Sequence, residues 1–274
     1  MHLGTKLKEL CFRALRLIGV FALIYVCMVF YLALTERQKA FPRAITHTEA
    51  NAAIQGKAKQ LTCKLEDGIV LNGWSIGNES DPVLLYFPDA EEDAAQFLVE
   101  VESVSSNQLV AFNYRGSGEN KGKPSEENFE LDANQIAQCA AQINGKAPQT
   151  LVGRGTGAIL ATKQALIYQK YGTKSLILLD PLFSIADAVS EKYRKLYPKF
   201  LVRADVSISQ EELNNLEITP VIIIDRKQFE QRTLNSVQDM KKRDIQHRNG
   251  ETLKNMLIKN VILSAFQGDS LTTN

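Results

Sequence analysis

The sequence predicts an α/β fold with a mostly parallel central sheet, an antiparallel N-terminal hairpin, helices on both faces and one N-terminal transmembrane helix. Three observations carry this reading. From Val83 onward, short apolar runs alternate with helical stretches, the pattern of parallel strands joined by right-handed crossovers. Before them, two segments of alternating character flank Asp67-Gly68, a hairpin signal. At the start of the chain, Leu17–Thr35 is a 19-residue run without a charge, about the length of a helix that crosses a bilayer.

The elements follow in order. Residues 1–16 form a basic flank and residues 17–35 the anchor, followed by a polar linker with a short helix over 36–57 and the folded domain over 58–274. No face of the 17–35 run is polar, and Tyr31-Leu32-Ala33-Leu34 fits a cleavage site poorly, so an uncleaved anchor is expected. The leading flank is slightly more basic than the trailing one, which favours an internal N-terminus and an external domain, periplasmic or luminal. Strands are expected at 60–65, 69–76, 83–87, 109–112, 150–152, 176–179, 221–224 and 261–263. Helices are expected at 90–104, 128–143, 158–171, 185–196 and, as a long polar stretch, 234–257.

Composition narrows the function. A net charge of +1 leaves no electrostatic footprint for nucleic acid, and no such partner is expected. His2, His47 and His247 are the only histidines, too few for a histidine-rich metal site; neither metal nor cofactor is expected. Cys63 and Cys139 are the cysteines of the soluble part. They can pair in an oxidising compartment, although two buried apolar thiols are the commoner outcome.

The central motif is Leu151-Val152-Gly153-Arg154-Gly155-Thr156-Gly157-Ala158, a short strand running into three glycines and then a helix. The loop Asn113-Tyr114-Arg115-Gly116-Ser117-Gly118, with Pro124-Ser125-Glu126-Glu127 and Leu131-Asp132-Ala133 after it, is a second motif. Ser184-Ile185-Ala186-Asp187 and Thr219–Ile224 are a third and a fourth. Together these resemble the membrane-anchored α/β-hydrolase-domain proteins of the serine aminopeptidase-like and lysophospholipase-like branch, over roughly residues 60–270.

That resemblance implies a Ser–Asp–His triad in this chain order, with the nucleophile on the strand-to-helix turn. The nucleophile position is matched by Gly155, the acid by Phe229 and the histidine by Gln267. The oxyanion loop, usually His-Gly, is Pro88-Asp89 here. Glycine has no attacking atom, phenylalanine cannot orient an imidazole, and glutamine is no general base near neutrality. Proline has no N–H to donate, although Asp89 and later residues do. The expectation is therefore a catalytically inactive hydrolase-fold protein, a binding or scaffolding module for a small acyl or lipid ligand or a protein partner. Gly153, Arg154, Thr156 and Gly157 line the pocket with Pro88 and Asp89.

Two alternatives stay open. One is an active hydrolase on ester, lipid or peptide substrates, with Thr156 as substitute nucleophile; capping of the following helix is the blander role for Thr156. Ser117 reads as loop chemistry and His247 as a solvated helix residue. The other is a nucleotide binder. Gly153–Ala158 also satisfies G-x-G-x-x-A, and Asp180 ends the next strand 22 residues beyond Ala158. Two basic clusters, Lys192-Arg194-Lys195 with Lys199 and Lys241-Lys242-Arg243, are solvated faces or headgroup contacts.

Overall fold

Strands laid side by side in the order β1-β2-β4-β3-β5-β6-β7-β8 form the eight-stranded sheet of this protein among the described residues. The computed structural model describes residues 2–41, 43–101, 108–193, 196–197, 199–203, 206–224 and 244–247. The strands are β1 (Lys59–Lys64), β2 (Val70–Ile76), β3 (Val83–Phe87), β4 (Gln108–Phe112), β5 (Thr150–Arg154), β6 (Ser175–Leu179), β7 (Val221–Ile224) and β8 (Asp244–His247). The β1–β2 and β2–β4 pairs are antiparallel and all others parallel, as the alternating hairpin followed by continuous apolar runs predicts. Every residue of β3, β4 and β6 is buried, because helices cover both faces there.

The helices are α1 (His2–Ala40), α2 (Thr48–Ile54), α3 (Ala94–Val101), α4 (Glu126–Asn144), α5 (Gly157–Tyr168), α6 (Ile185–Tyr193) and α7 (Gln210–Asn214). Helix α4 begins where the loop motif ends. The Ser125 hydroxyl accepts the Asn128 N–H while the Asn128 side chain accepts the Ser125 N–H, and Gly145 closes the helix with φ 72°. Arg115 fastens this helix to the hairpin: its guanidinium donates from Nη2 to Asp132 at 2.5 Å and from Nη1 to Asp67 at 2.8 Å. One fork from the buried Arg115 thus ties the loop motif, α4 and the exposed Asp67-Gly68 turn together.

Three findings differ from the sequence reading. The first concerns 234–257, predicted helical, which contains β8: Asp244–His247 pairs parallel with Val221–Ile224. Four mostly polar residues give no strand pattern of their own, and the backbone ladder of β7 recruits them at the sheet edge. The predicted strand 261–263 lies outside the described residues.

The second is that Cys63 and Cys139 are joined as a disulfide rather than standing as two thiols, closing a sequence separation of 76 residues between β1 and α4. Burial makes a cysteine look apolar in sequence; only the packing of α4 on β1 brings the two sulfurs together.

The third concerns the stretch read as linker, which from Phe41 onward packs into the folded part. Phe41 stands 5.4 Å from the Phe129 ring, and Ala50 and Ile54 join the core with Leu84, Tyr86, Phe97 and Val152. Asp93 anchors the segment by accepting the His47 N–H and the Asn51 amide, each at 2.7 Å.

The chain divides into two compact units, residues 41–185 with 206–274, and residues 1–40 with 186–205. The smaller unit holds α1, which carries one stretch, Lys8–Gln38, long and apolar enough to cross a membrane. Its large apolar side chains, Phe12, Phe21, Ile24 and Phe30 among them, stand exposed, unlike those of a helix in a soluble core.

The disulfide gives a direct test. For so long a loop the cross-link is expected to contribute about 4 kcal/mol. A Cys63→Ser/Cys139→Ser variant should unfold at a clearly lower temperature than the oxidised protein, and reductant should lower the wild type to the same value. Equal melting of all three forms would show that the pair carries no stability.

Candidate functional site

The turn between β5 and α5 consists of Gly155 and Thr156, and its backbone is pinned from both sides. Gly155 donates its N–H to the Leu179 carbonyl at 3.0 Å and accepts the Leu182 N–H at 2.9 Å. Held this way it adopts φ +55°, a conformation costing a residue with a Cβ roughly 1–2 kcal/mol and glycine nothing. The flanking glycines answer to space. A Cβ at Gly153 would collide with the Gly157 carbonyl, and one at Gly157 with the Phe87 and Pro88 carbonyls.

The space where a side chain at 155 would project is taken. A Cβ on Gly155 would sit inside the van der Waals envelope of the Asp89 carboxyl group. Asp89 reaches this position from the loop after β3, and its Oδ1 accepts three hydrogen bonds: the Thr156 N–H at 3.0 Å, the Thr156 hydroxyl at 2.9 Å and the Ala90 N–H at 2.9 Å. The Ala90 N–H also reaches the Thr156 hydroxyl oxygen, at 3.0 Å. In the fold this chain resembles, the N–H after the nucleophile and an N–H from the β3 loop form the oxyanion hole. Here both donor positions serve the protein's own carboxylate, at the N-terminus of α5, where the helix dipole favours negative charge.

Thr156 does not take the capping role that its place at the start of the helix suggests. It occupies the N-cap position of α5 but makes no side-chain capping bond to the helix; its hydroxyl is spent on Asp89 and Ala90 instead. Pro88 contributes its carbonyl, which accepts the buried Tyr114 hydroxyl at 2.9 Å. Ser117 accepts the Ala44 N–H at 3.0 Å and is structural. The same Asp89 carboxylate takes the helix-terminal N–H that a pyrophosphate would need, which weighs against the nucleotide reading of Gly153–Ala158.

Arg154, the variable residue of the glycine motif, runs away from the turn into a partly buried charge cluster. Its guanidinium pairs with Glu92 at 2.6 Å and Glu100 at 2.9 Å, about 6 Å from the centres of the stacked Tyr86 and Phe97 rings. Glu92 accepts the Tyr86 hydroxyl at 2.6 Å and the Asp89 N–H at 3.1 Å. Burial pushes the Glu92 carboxyl above its ordinary range, with Arg154 and the Tyr86 hydroxyl pulling the other way. The second candidate oxyanion-loop N–H is thus also occupied by a carboxylate. Sequence reasoning missed Glu92 and Glu100; the one available signal was the acidic run Asp89-Ala90-Glu91-Glu92-Asp93, which has no spacing rule of its own.

Phe229 and Gln267, matched to the acid and the histidine, lie outside the described residues. His47 accepts the Ala50 N–H at 3.1 Å and caps α2. Among the described residues no group of three or more His, Cys, Asp and Glu side chains is placed to hold a metal.

Comparison with known proteins places the fold. No family model matches the chain. An uncharacterized protein of Mycobacterium tuberculosis is 22% identical over 189 residues, and the alignment covers 66% of each chain, just under two thirds of that relative's length. Human protein ABHD12B is a distant homologue, 31% identical over 98 residues that make up 34% of this chain and 27% of that protein.

Three solved structures agree in architecture. An α/β-hydrolase of Vibrio vulnificus has a TM-score of 0.65 at 20% identity, covering 87% of this chain and 92% of its own. An esterase of Pyrococcus furiosus has 0.62 at 14%, covering 83% and 96%. A membrane phospholipase A described as a bacterial virulence factor has 0.60 at 13%, covering 93% and 98%. The chain has the α/β-hydrolase fold.

Replacing Arg154 tests the charge cluster. Arg154→Met leaves the partly buried Glu92 and Glu100 without their cation, expected to destabilise the fold near neutral pH by somewhat less than the about 3–5 kcal/mol of a fully buried pair. The native state then holds the Glu92 proton more tightly than the unfolded chain does, so stability rises as pH falls through the raised Glu92 pKa. Chemical denaturation from pH 7 downward should show the deficit narrowing toward acid. A deficit that stays constant over that window would contradict the assignment.

Proposed function

We propose that this protein is a membrane-anchored α/β-hydrolase-fold module that binds rather than hydrolyses, holding an acyl or lipid ligand or a partner protein. The observation that carries the proposal is the Asp89 carboxylate lodged against Gly155 and bonded to the Thr156 and Ala90 N–H groups. A serine hydrolase keeps those donors free for the charge that develops on the substrate carbonyl. Here the Asp89 side chain holds them, and the position that would attack has no side chain. Leu17–Thr35 supplies the anchor, as one helix through the bilayer. The Cys63–Cys139 bond supports an external or luminal domain, since disulfides persist in oxidising compartments.

A second reading has one observation in its favour. The Thr156 hydroxyl donates to a carboxylate, the contact a nucleophile makes with its base. The same Asp89 oxygen also accepts two backbone N–H groups, and a base in that place obstructs the oxyanion hole. Fluorophosphonate labelling of the full-length protein, read as intact mass, separates the two readings. No adduct is expected on the wild type, whereas an adduct mapped to Thr156 would sink the binding-module proposal.

A companion series tests the geometry behind it. Gly155→Ser alone should lose about 1–3 kcal/mol, from the positive φ and the collision with Asp89. Asp89→Gly in the same chain should recover the collision component, giving a coupling between the two sites in a double-mutant cycle. Strictly additive effects would mean that the carboxylate does not occupy the nucleophile's place.

A further inference from the structure

The smaller unit contains a contact with no role in the turn between β5 and α5. Glu36, one residue beyond the charge-free run that ends at Thr35, is only 4% exposed. Its carboxylate accepts the Tyr197 hydroxyl at 2.7 Å and the Arg203 backbone N–H. Tyr197 is 1% exposed and also donates toward the Leu201 carbonyl, at 2.9 Å. Burial and the Glu36 carboxylate push the Tyr197 phenol up to about 12, so it remains a donor across physiological pH.

These contacts fix a depth. An α-helix rises about 1.5 Å per residue, so Glu36 stands at the boundary where the apolar run leaves the bilayer. Whatever is hydrogen-bonded to Glu36 lies at the same level. The segment carrying Tyr197 has two apolar side chains without cover, Leu196 at 47% and Phe200 at 84% exposed. Lys192 and Arg203, both exposed, flank them, and Lys199 precedes Phe200 in the sequence. Exposed aromatic and aliphatic residues among lysine and arginine form the composition that settles at a headgroup–acyl boundary.

We propose that the segment from Leu196 to Arg203 is a second membrane-docking element, with Phe200 and Leu196 inserted into the lipid interface beside the exit of α1. The occupant is the bilayer itself, because the patch is continuous with the anchor through Glu36. The proposal rests on α1 being a membrane span. It assigns the segment after α6 a fixed place at the membrane surface and leaves that surface as the source of an acyl or lipid ligand.

The test uses the full-length protein reconstituted into mixed phosphatidylcholine–phosphatidylglycerol vesicles. Trp74 is the single tryptophan, so Trp74→Phe gives a silent background. Phe200→Trp and Val26→Trp are then introduced separately, and emission is read with lipids brominated at shallow or deep acyl positions. The Phe200→Trp protein should emit at shorter wavelength than it does in detergent-free unfolded form and lose intensity chiefly to shallow bromines. The Val26→Trp protein should lose intensity chiefly to deep ones. Deep quenching of Val26→Trp without quenching of Phe200→Trp overturns the docking element and leaves the anchor standing. Absence of quenching in both overturns the anchor, and the docking element with it. Quenching of Phe200→Trp that disappears as protein density in the vesicle rises identifies a second copy of the chain as the occupant and overturns the proposal.

Discussion

A carboxylate held by the N-terminus of a helix is the constraint on which the centre of this structure depends. Asp89 is oriented through its Oδ1 by the Thr156 N–H, the Thr156 hydroxyl and the Ala90 N–H, and through its backbone N–H by Glu92. Glu92 is in turn held by Arg154 and Tyr86. Each link satisfies a polar group partly or wholly withdrawn from water, which is costly to leave unpaired. The result is a closed network joining the end of β3, the end of β5 and the first turn of α5. Networks of this kind are stable when complete and fragile when one member is removed.

The same network explains how the strand-to-helix turn is held with glycine at its centre. The turn requires a positive φ and a close strand–helix approach, and glycine meets both at no steric cost. A free N–H pair at a helix terminus attracts an anion, and the Asp89 carboxylate supplies one from within the chain. Sheet order, crossovers and core are indifferent to this exchange, because fold and chemistry are set by different residues. Neighbours in fold include an esterase and a membrane phospholipase, so the architecture alone does not separate binding from turnover.

The smaller unit obeys a related rule. A glutamate at the end of an apolar helix is costly to bury alone, and Glu36 is buried because Tyr197 and Arg203 satisfy it. The phenol thereby joins two segments 161 residues apart in sequence, and the Arg203 N–H adds a second bond.

The sequence by itself determined the fold class, the hairpin, the strands as far as β7 with helices α3 to α6, and a glycine at the centre of the strand-to-helix turn. These are local properties: alternation or continuity of apolar residues, an Asp-Gly turn, a glycine where a serine is expected. Tertiary structure alone decided what stands against Gly155. Asp89 and Thr156 are 67 residues apart, and nothing in a five-residue acidic run says which carboxylate will meet which N–H. It also decided the Cys63–Cys139 bond, the packing of residues 41–57 into the folded part, and β8, a short polar strand with no pattern of its own. In each case the deciding force is a partner brought close by the fold, and periodicity along a chain carries no record of what stands across from it.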